Sequence, residues 1–131
     1  MKTNPSSALK FTLAGLMLLL AFSVQASPSN KWRLQFSGNA ESSGTIVMQF
    51  TPKGSEMIET RTDIKKGRSE NHVARDVVDS LKSQLPKDHF HIERDDGEDV
   101  LIKRKHHHDA KFDIKIVSNS VKGVRINPDR E

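Results

Sequence analysis

The sequence contains no cysteine among its 131 residues, and this absence removes several kinds of chemistry at once. Disulfide bonds cannot support the fold, although many small exported domains depend on them. A lipid-attachment cysteine, a thiol nucleophile and a thiolate metal site are excluded for the same reason. Strand pairing and apolar packing must therefore stabilise the folded chain.

Sequence motifs for catalysis are also missing. The chain has no Gly-x-Ser-x-Gly elbow, no His-Glu-x-x-His pair, no P-loop and no Gly-x-Gly-x-x-Gly fingerprint. The adjacent carboxylates Asp95 and Asp96 fall on a predicted turn with nothing to bury them, which disfavours a role as a catalytic acid and base. We therefore predict a protein without catalytic activity.

Residues 1–26 have the pattern of a secretory signal peptide. Lys2 and Lys10 form a positive front end, an apolar run follows over residues 11–24, and small residues precede a cleavage site after Ala26. The apolar run is short for a membrane span of about 20 residues, and an uncleaved anchor is the alternative. We predict one exported domain over residues 27–131, periplasmic or secreted, with no stable membrane span once the leader is cleaved.

Aromatic residues are scarce, at 5% of the chain, and tyrosine is absent. The aromatic residues that follow the leader are Trp32, Phe36, Phe50, Phe90 and Phe112. Their alternation with polar residues assigns them to the core, so they do not form a stacking platform for bases. Two of the 21 Lys and Arg residues lie in the leader, so the remaining chain carries a net charge of only +2. Nucleic acid is therefore disfavoured as a partner.

One helix is predicted in the exported part, over residues 69–85. Its apolar residues recur at steps of three and four, which places them on one stripe. These residues are Val73, Ala74, Val77, Val78, Leu81 and Leu85. Ser69 is a suitable N-cap, and Pro86 ends the helix because it cannot donate a backbone hydrogen bond. We expect this helix to cover a sheet.

Short segments with a period of two predict strands in the rest of the domain. The predicted strands are residues 31–37, 45–51, 57–64, 89–94, 98–103, 111–116 and, more weakly, 121–126, with a tail over 128–131. This order favours an α+β fold, a small and mostly antiparallel sheet of five to seven strands covered on one face by the single helix.

The clearest hairpin is closed by the sequence Asp95-Asp96-Gly97. A three-residue loop over residues 95–97 pairs Arg94 with Glu98 and Ile92 with Val100. This register places the four apolar residues of the hairpin on one face. They are Phe90, Ile92, Val100 and Ile102.

Three consecutive histidines suggest one kind of site. Imidazoles suit Zn, Cu and Ni, and the base of the hairpin brings further histidines near them. The candidate ligands are His89, His91, His106, His107, His108 and Asp109. Against this hypothesis, the spacing matches no standard metal motif, and the neighbouring cations repel a metal ion.

The same stretch also predicts an anion-binding patch, formed by Lys103, Arg104, Lys105 and Lys111. Lysine and arginine beside histidine attract phosphate and sulfate groups. The expected partners are an anionic lipid headgroup, an acidic glycan or another exported protein.

Three functions follow from these patterns. The first is a small exported binding protein that engages anionic ligands through the Lys/Arg/His patch. The second is a periplasmic protein that binds Zn, Cu or Ni through the histidines. The third is a structural or assembly subunit that adds an edge strand, residues 121–126, to a partner.

Overall fold

A computed structural model describes residues 28–131, and the predicted leader lies outside this range. These residues form seven strands and one helix, α1 (Glu70–Gln84). The strands are β1 (Lys31–Ser37), β2 (Gly44–Pro52), β3 (Ile58–Ile64), β4 (Phe90–Asp95), β5 (Asp99–Arg104), β6 (Phe112–Asn119) and β7 (Arg125–Arg130). Every strand pairing is antiparallel. The predicted α+β class, with mostly antiparallel strands and one helix, is confirmed.

The strands form two sheets rather than the single sheet that we expected. The larger sheet has the order β4-β5-β1-β7, and the smaller has the order β3-β2-β6. The chain leaves β1 through residues 38–43, and β2 then pairs with β3 and β6 instead of with β1. An alternating pattern defines the two faces of a strand but does not choose its neighbours.

Helix α1 contacts both sheets. Its N-cap Ser69 accepts a hydrogen bond from the His72 N–H, and its C-cap Leu85 turns to extended backbone just before Pro86. The apolar stripe is buried as predicted. It lies against β3 of one sheet and against β1, β4 and β5 of the other. The helix therefore supports two sheets at once rather than covering one face of one sheet.

The aromatic residues join the two sheets within one apolar core. Trp32 of β1 donates its Nε1–H to the Phe112 carbonyl of β6 at 2.8 Å. Phe90 of β4 meets Phe112 edge to face, with ring centroids 5.1 Å apart. Trp32, Phe36, Phe50, Phe90 and Phe112 are all buried, which confirms their assignment to the core.

The β4–β5 hairpin has the predicted faces but a register shifted by two residues. Ile92 lies opposite Ile102, and the strands are closed by Asp95 opposite Asp99. The loop therefore covers residues 96–98, because Asp96 and Gly97 both adopt positive φ, at 47° and 79°. Aspartate tolerates this conformation better than most residues. A shift of two preserves the face of every side chain, so the predicted apolar face is buried.

The last strand lies later in the chain than we predicted. Val121 and Val124 are buried in a turn rather than in a strand, and Gly123 in this turn has φ 88°. The expected tail is the second half of β7, an edge strand in which Pro128 lies opposite Leu34. Proline is compatible with an edge strand, but it removes a donor there. This feature disfavours addition of a partner strand along β7.

Candidate functional site

Three concavities adjoin one another where α1 ends, β4 begins and β5 ends. We call them the basic cleft, the lysine groove and the histidine pocket. Lys105 lines both the cleft and the groove, and Phe90 lines both the groove and the pocket. This end of the domain therefore carries most of the residues that the sequence suggested as metal ligands or as anion-binding residues.

The basic cleft has a volume of about 280 Å³. It is lined by Asn30, Lys31, Lys103, Arg104, Lys105, His106 and His107. The antiparallel pairing of β1 with β5 creates it, because Lys31 lies directly opposite Lys103. The lining contains no carboxylate, so the local potential favours an anion.

Hydrogen bonds to backbone carbonyls and two ion pairs position the cations of the cleft. Arg104 donates Nη1–H to the Asp109 carbonyl at 3.2 Å, and Lys105 donates from Nζ to the Lys87 carbonyl, also at 3.2 Å. Lys103 Nζ lies 2.8 Å from Glu93 Oε1. Lys31 Nζ lies 3.1 Å from Glu131 Oε2. Both carboxylates lie outside the cleft lining.

The three consecutive histidines lie in a tight turn. The Asp109 N–H donates to the His106 carbonyl at 3.1 Å, and Asp109 Oδ2 accepts the His106 N–H at 2.8 Å. The rings of His106 and His108 stack with centroids 5.1 Å apart and planes 5° apart. His106 and His107 line the basic cleft, whereas His108 lines the histidine pocket.

Asp109 also orients His89. The ring Nδ1 of His89 lies 2.7 Å from Asp109 Oδ1, and the Asp109 side chain is only 5% exposed while that of His89 is 63% exposed. The hydrogen bond from His89 lowers the pKa of Asp109, with a smaller contribution from the His106 N–H, while burial acts in the opposite direction. His89 lines the histidine pocket, which has a volume of about 400 Å³ and includes the apolar side chains of Pro52, Ile58 and Phe90.

Asp109 should make the stability of the domain depend on acid pH. Because its pKa is lowered in the folded state, its contribution is complete above the unfolded value near 3.8 and is lost as pH falls through the folded value. We expect the urea midpoint of the wild type to fall more steeply between pH 5 and pH 3 than that of Asp109→Asn. The difference in slope should correspond to the uptake of roughly one proton on unfolding. Parallel slopes for the two proteins would contradict this assignment.

The predicted metal ligands do not converge. Within residues 28–131, no group of three or more His, Asp or Glu side chains is arranged to hold a metal ion. Asp109 is engaged by His89 and by the His106 backbone, and the rings of His106 and His108 are stacked on each other with nearly parallel planes. His91 lies 3.4 Å from Glu93. Zn, Cu or Ni binding stays a prediction, without structural support from the described residues.

The structure assembles three of the four predicted anion-binding residues in the cleft. Lys111 is not among the lining residues, and its carbonyl accepts the Lys53 N–H near the start of β6. Sequence reasoning missed Asn30 and Lys31 as cleft residues. The period of β1 identified Lys31 as a residue off the core face, but its pairing with Lys103 connects distant parts of the chain that no local pattern relates.

A separate charged cluster surrounds Arg33 on the outward face of the larger sheet. Arg33 donates Nη1–H to Asp99 at 2.6 Å and to Asp95 at 3.1 Å, and its Nε–H donates to Glu131. These bonds, that of Glu131 first, raise the pKa of Arg33 above its ordinary value. Asp99 is buried, and its Oδ1 has no hydrogen-bond partner within the described residues. Arg33 pairs with all three carboxylates, and Glu131 also pairs with Lys31, so we assign this cluster to stability.

Comparison with models of known protein families gives no match for this chain, and comparison with curated proteins gives no significant match. Any functional assignment therefore depends on the geometry and chemistry of the residues described above.

Proposed function

We propose that this chain is a small exported binding protein without catalytic activity and that it engages anionic ligands at the basic cleft. The observation that carries the proposal is the composition of the cleft, which is lined by four cationic side chains and two histidines, while the carboxylates that pair with Lys31 and Lys103 lie outside the lining. The arrangement suits phosphate, sulfate or carboxylate groups. An anionic lipid headgroup, an acidic glycan or an acidic exported protein would present such groups.

The cations of the cleft have complementary roles in this proposal. The planar guanidinium of Arg104 has further N–H donors beyond the one that binds the Asp109 carbonyl, and such a fork matches two oxygens of an anion. Lys31 and Lys103 would have to exchange Glu131 and Glu93 for the ligand. These pairs are about one-third exposed, and exposed pairs contribute only about 0–1 kcal/mol, so the exchange costs little.

Heparin affinity tests the proposal, because heparin carries dense sulfate and carboxylate groups. We expect the wild type to be retained at pH 7 and low salt, and to elute as salt screens the interaction. Replacement of Lys103, Arg104 and Lys105 together by Gln should move elution to much lower salt while the melting temperature changes little.

The matched control removes the same charge elsewhere. Lys53, Lys65 and Lys66 are exposed and do not line the cleft, so their joint replacement by Gln should leave most of the retention intact. Equal loss in the two triple variants would show that net charge alone governs retention. In that case, or if the wild type is not retained at all, the cleft is not the site.

A further inference from the structure

The lysine groove lies beside the basic cleft, between the end of α1 and the start of β4. It has a volume of about 350 Å³, within the range of sites for small organic ligands. Three lysines, Lys82, Lys87 and Lys105, surround an apolar floor of Leu85, Phe90 and Ile92. His91 is the remaining lining residue, and it lies near Glu93.

Most lysines of the described residues have no acidic partner, and those of the groove are distinguished by their placement around one concavity. Within residues 28–131, none of Lys82, Lys87 and Lys105 lies within ion-pair distance of a carboxylate. By contrast, Arg33, Arg68 and Lys103 each have an acidic partner. The three lysines are exposed, Lys105 donates from Nζ to the Lys87 carbonyl, and all three would attract an anion bound in the groove.

The apolar side chains at the bottom of the groove restrict the chemical class of anion that would bind there. Leu85, Phe90 and Ile92 belong to the main core, and their edges form the bottom of the groove. A fully hydrated inorganic anion would gain nothing from such a surface, whereas an alkyl chain would lose water-exposed apolar area against it. Charge and surface together fit a molecule with one anionic group and an apolar body.

The surface around the groove indicates whether the ligand comes from solution or from a membrane. Insertion into the apolar layer of a membrane needs apolar side chains that protrude into the lipid. Among residues 28–131, the large hydrophobic side chains that are exposed are Met57 and Val117, and neither lines the groove. A ligand free in solution therefore suits the groove better than a bilayer surface.

We propose that the lysine groove binds a soluble single-chain amphiphilic anion, of the chemical class of medium-chain fatty acid carboxylates. This inference rests on the proposed function, since Lys105 belongs to both concavities and the anionic group would lie on its side of the groove. The alkyl chain would lie along the floor formed by Leu85, Phe90 and Ile92.

A chain-length series tests the proposal on the unmodified protein. Acetate, octanoate and decanoate are titrated by calorimetry below their micelle concentrations, with decyltrimethylammonium as a cation of equal chain length. We expect affinity to rise with chain length, by at most about fourfold per added methylene, the value for a methylene that becomes fully buried, and the cation not to bind. Decanoate should also raise the melting temperature, because a ligand of the native state stabilises it.

Charge reversal locates the site. Lys82→Glu combined with Lys87→Glu should weaken decanoate binding at least tenfold. The matched control is Lys115→Glu combined with Lys53→Glu, which makes the same charge change at exposed positions outside the groove and should leave the affinity unchanged. Equal affinity for acetate and decanoate, equal binding of the cation, or a melting temperature that only falls would overturn the proposal.

Two further outcomes separate this inference from the proposed function. If decanoate fails to bind while heparin retention still depends on Lys103, Arg104 and Lys105, the amphiphile proposal is wrong and the anion cleft stands. If the protein binds phosphatidylglycerol vesicles but not monomeric decanoate, the ligand source is a membrane and the proposal of a soluble ligand is wrong.

Discussion

Leu81→Asp is expected to leave the domain unfolded at 25 °C and neutral pH. Leu81 is fully buried on the stripe of α1 and belongs to the core that both sheets share. Truncation of such a leucine to alanine alone costs about 2–5 kcal/mol, and a buried carboxylate without a partner adds several more. Small domains have a total stability of about 5–15 kcal/mol. Loss of near-ultraviolet circular dichroism and of dispersion in the proton NMR spectrum would report the unfolded state.

Ser83→Asp is the matched control for Leu81→Asp. It introduces the same side chain two residues away, at an exposed position of the same helix. We expect a change within about 0.5 kcal/mol, apart from a small unfavourable interaction with the C-terminal end of the helix dipole. Asp79→Ala, another exposed position, should also matter little. A folded Leu81→Asp variant of unchanged stability would show that α1 does not hold the sheets together.

The helix shows how much of this fold local patterns can predict. The stripe, the N-cap Ser69 and the stop at Pro86 are all local features, and the structure places α1 within one residue of the predicted range at each end. The buried and exposed faces of the strands were equally predictable from sequence, because the period of two depends only on neighbouring residues. Trp32, Leu34 and Phe36 are buried for this reason.

Register and strand order depend on information that local patterns do not contain. The hairpin shifts by two residues because Asp96 adopts a left-handed conformation, and either loop leaves the same side chains buried. The division into two sheets arises because β2 pairs with β6, whose residues lie 60 to 73 positions later in the chain than their partners. The C-terminal residues pair with β1 although Pro128 made them resemble a tail.

The candidate site likewise has one part that local sequence patterns predict and another that they do not. The cations at the end of β5 are consecutive in sequence, so the clustering of Lys103, Arg104 and Lys105 was predictable. Lys31 joins them only through the pairing of β1 with β5. Lys82 and Lys87 join them only because α1 ends beside β4, and Lys87 O accepts a hydrogen bond from Lys105. A surface made from three distant segments becomes visible only after the chain has folded.

Arg33→Met is expected to lower the melting temperature by roughly 10 °C at pH 7. The substitution keeps most of the aliphatic length of the side chain. Among residues 28–131, it removes the one cation within ion-pair distance of Asp99, whose carboxylate is buried and already has one oxygen without a hydrogen-bond partner. Asp95, Asp99 and Glu131 would then repel one another across the outward face of the larger sheet. Thermal unfolding followed by circular dichroism measures the effect.

The difference between Arg33→Met and the wild type should shrink as pH falls. In the wild type, the hydrogen bond from Arg33 and then that from Lys31 lower the pKa of Glu131, so its stabilising contribution is present above about pH 4.5 and is lost as pH falls through the folded value. The variant lacks the larger of these two interactions and therefore has less to lose. Protonation also relieves the repulsion among its three carboxylates, so the two melting temperatures should approach each other between pH 6 and pH 3.

Arg61→Met and a double variant distinguish the partly buried network around Arg33 from ordinary surface charge. Arg61 is 67% exposed and lies 3.7 Å from Glu59, so its replacement should change stability by no more than about 0.5 kcal/mol. Adding Asp99→Leu to Arg33→Met removes the uncompensated buried carboxylate and should recover much of the lost stability, because an apolar replacement of both partners avoids the desolvation cost. If the double variant is no more stable than Arg33→Met, the damage comes from lost packing of the Arg33 side chain against its neighbours, and Asp99 does not depend on the cation.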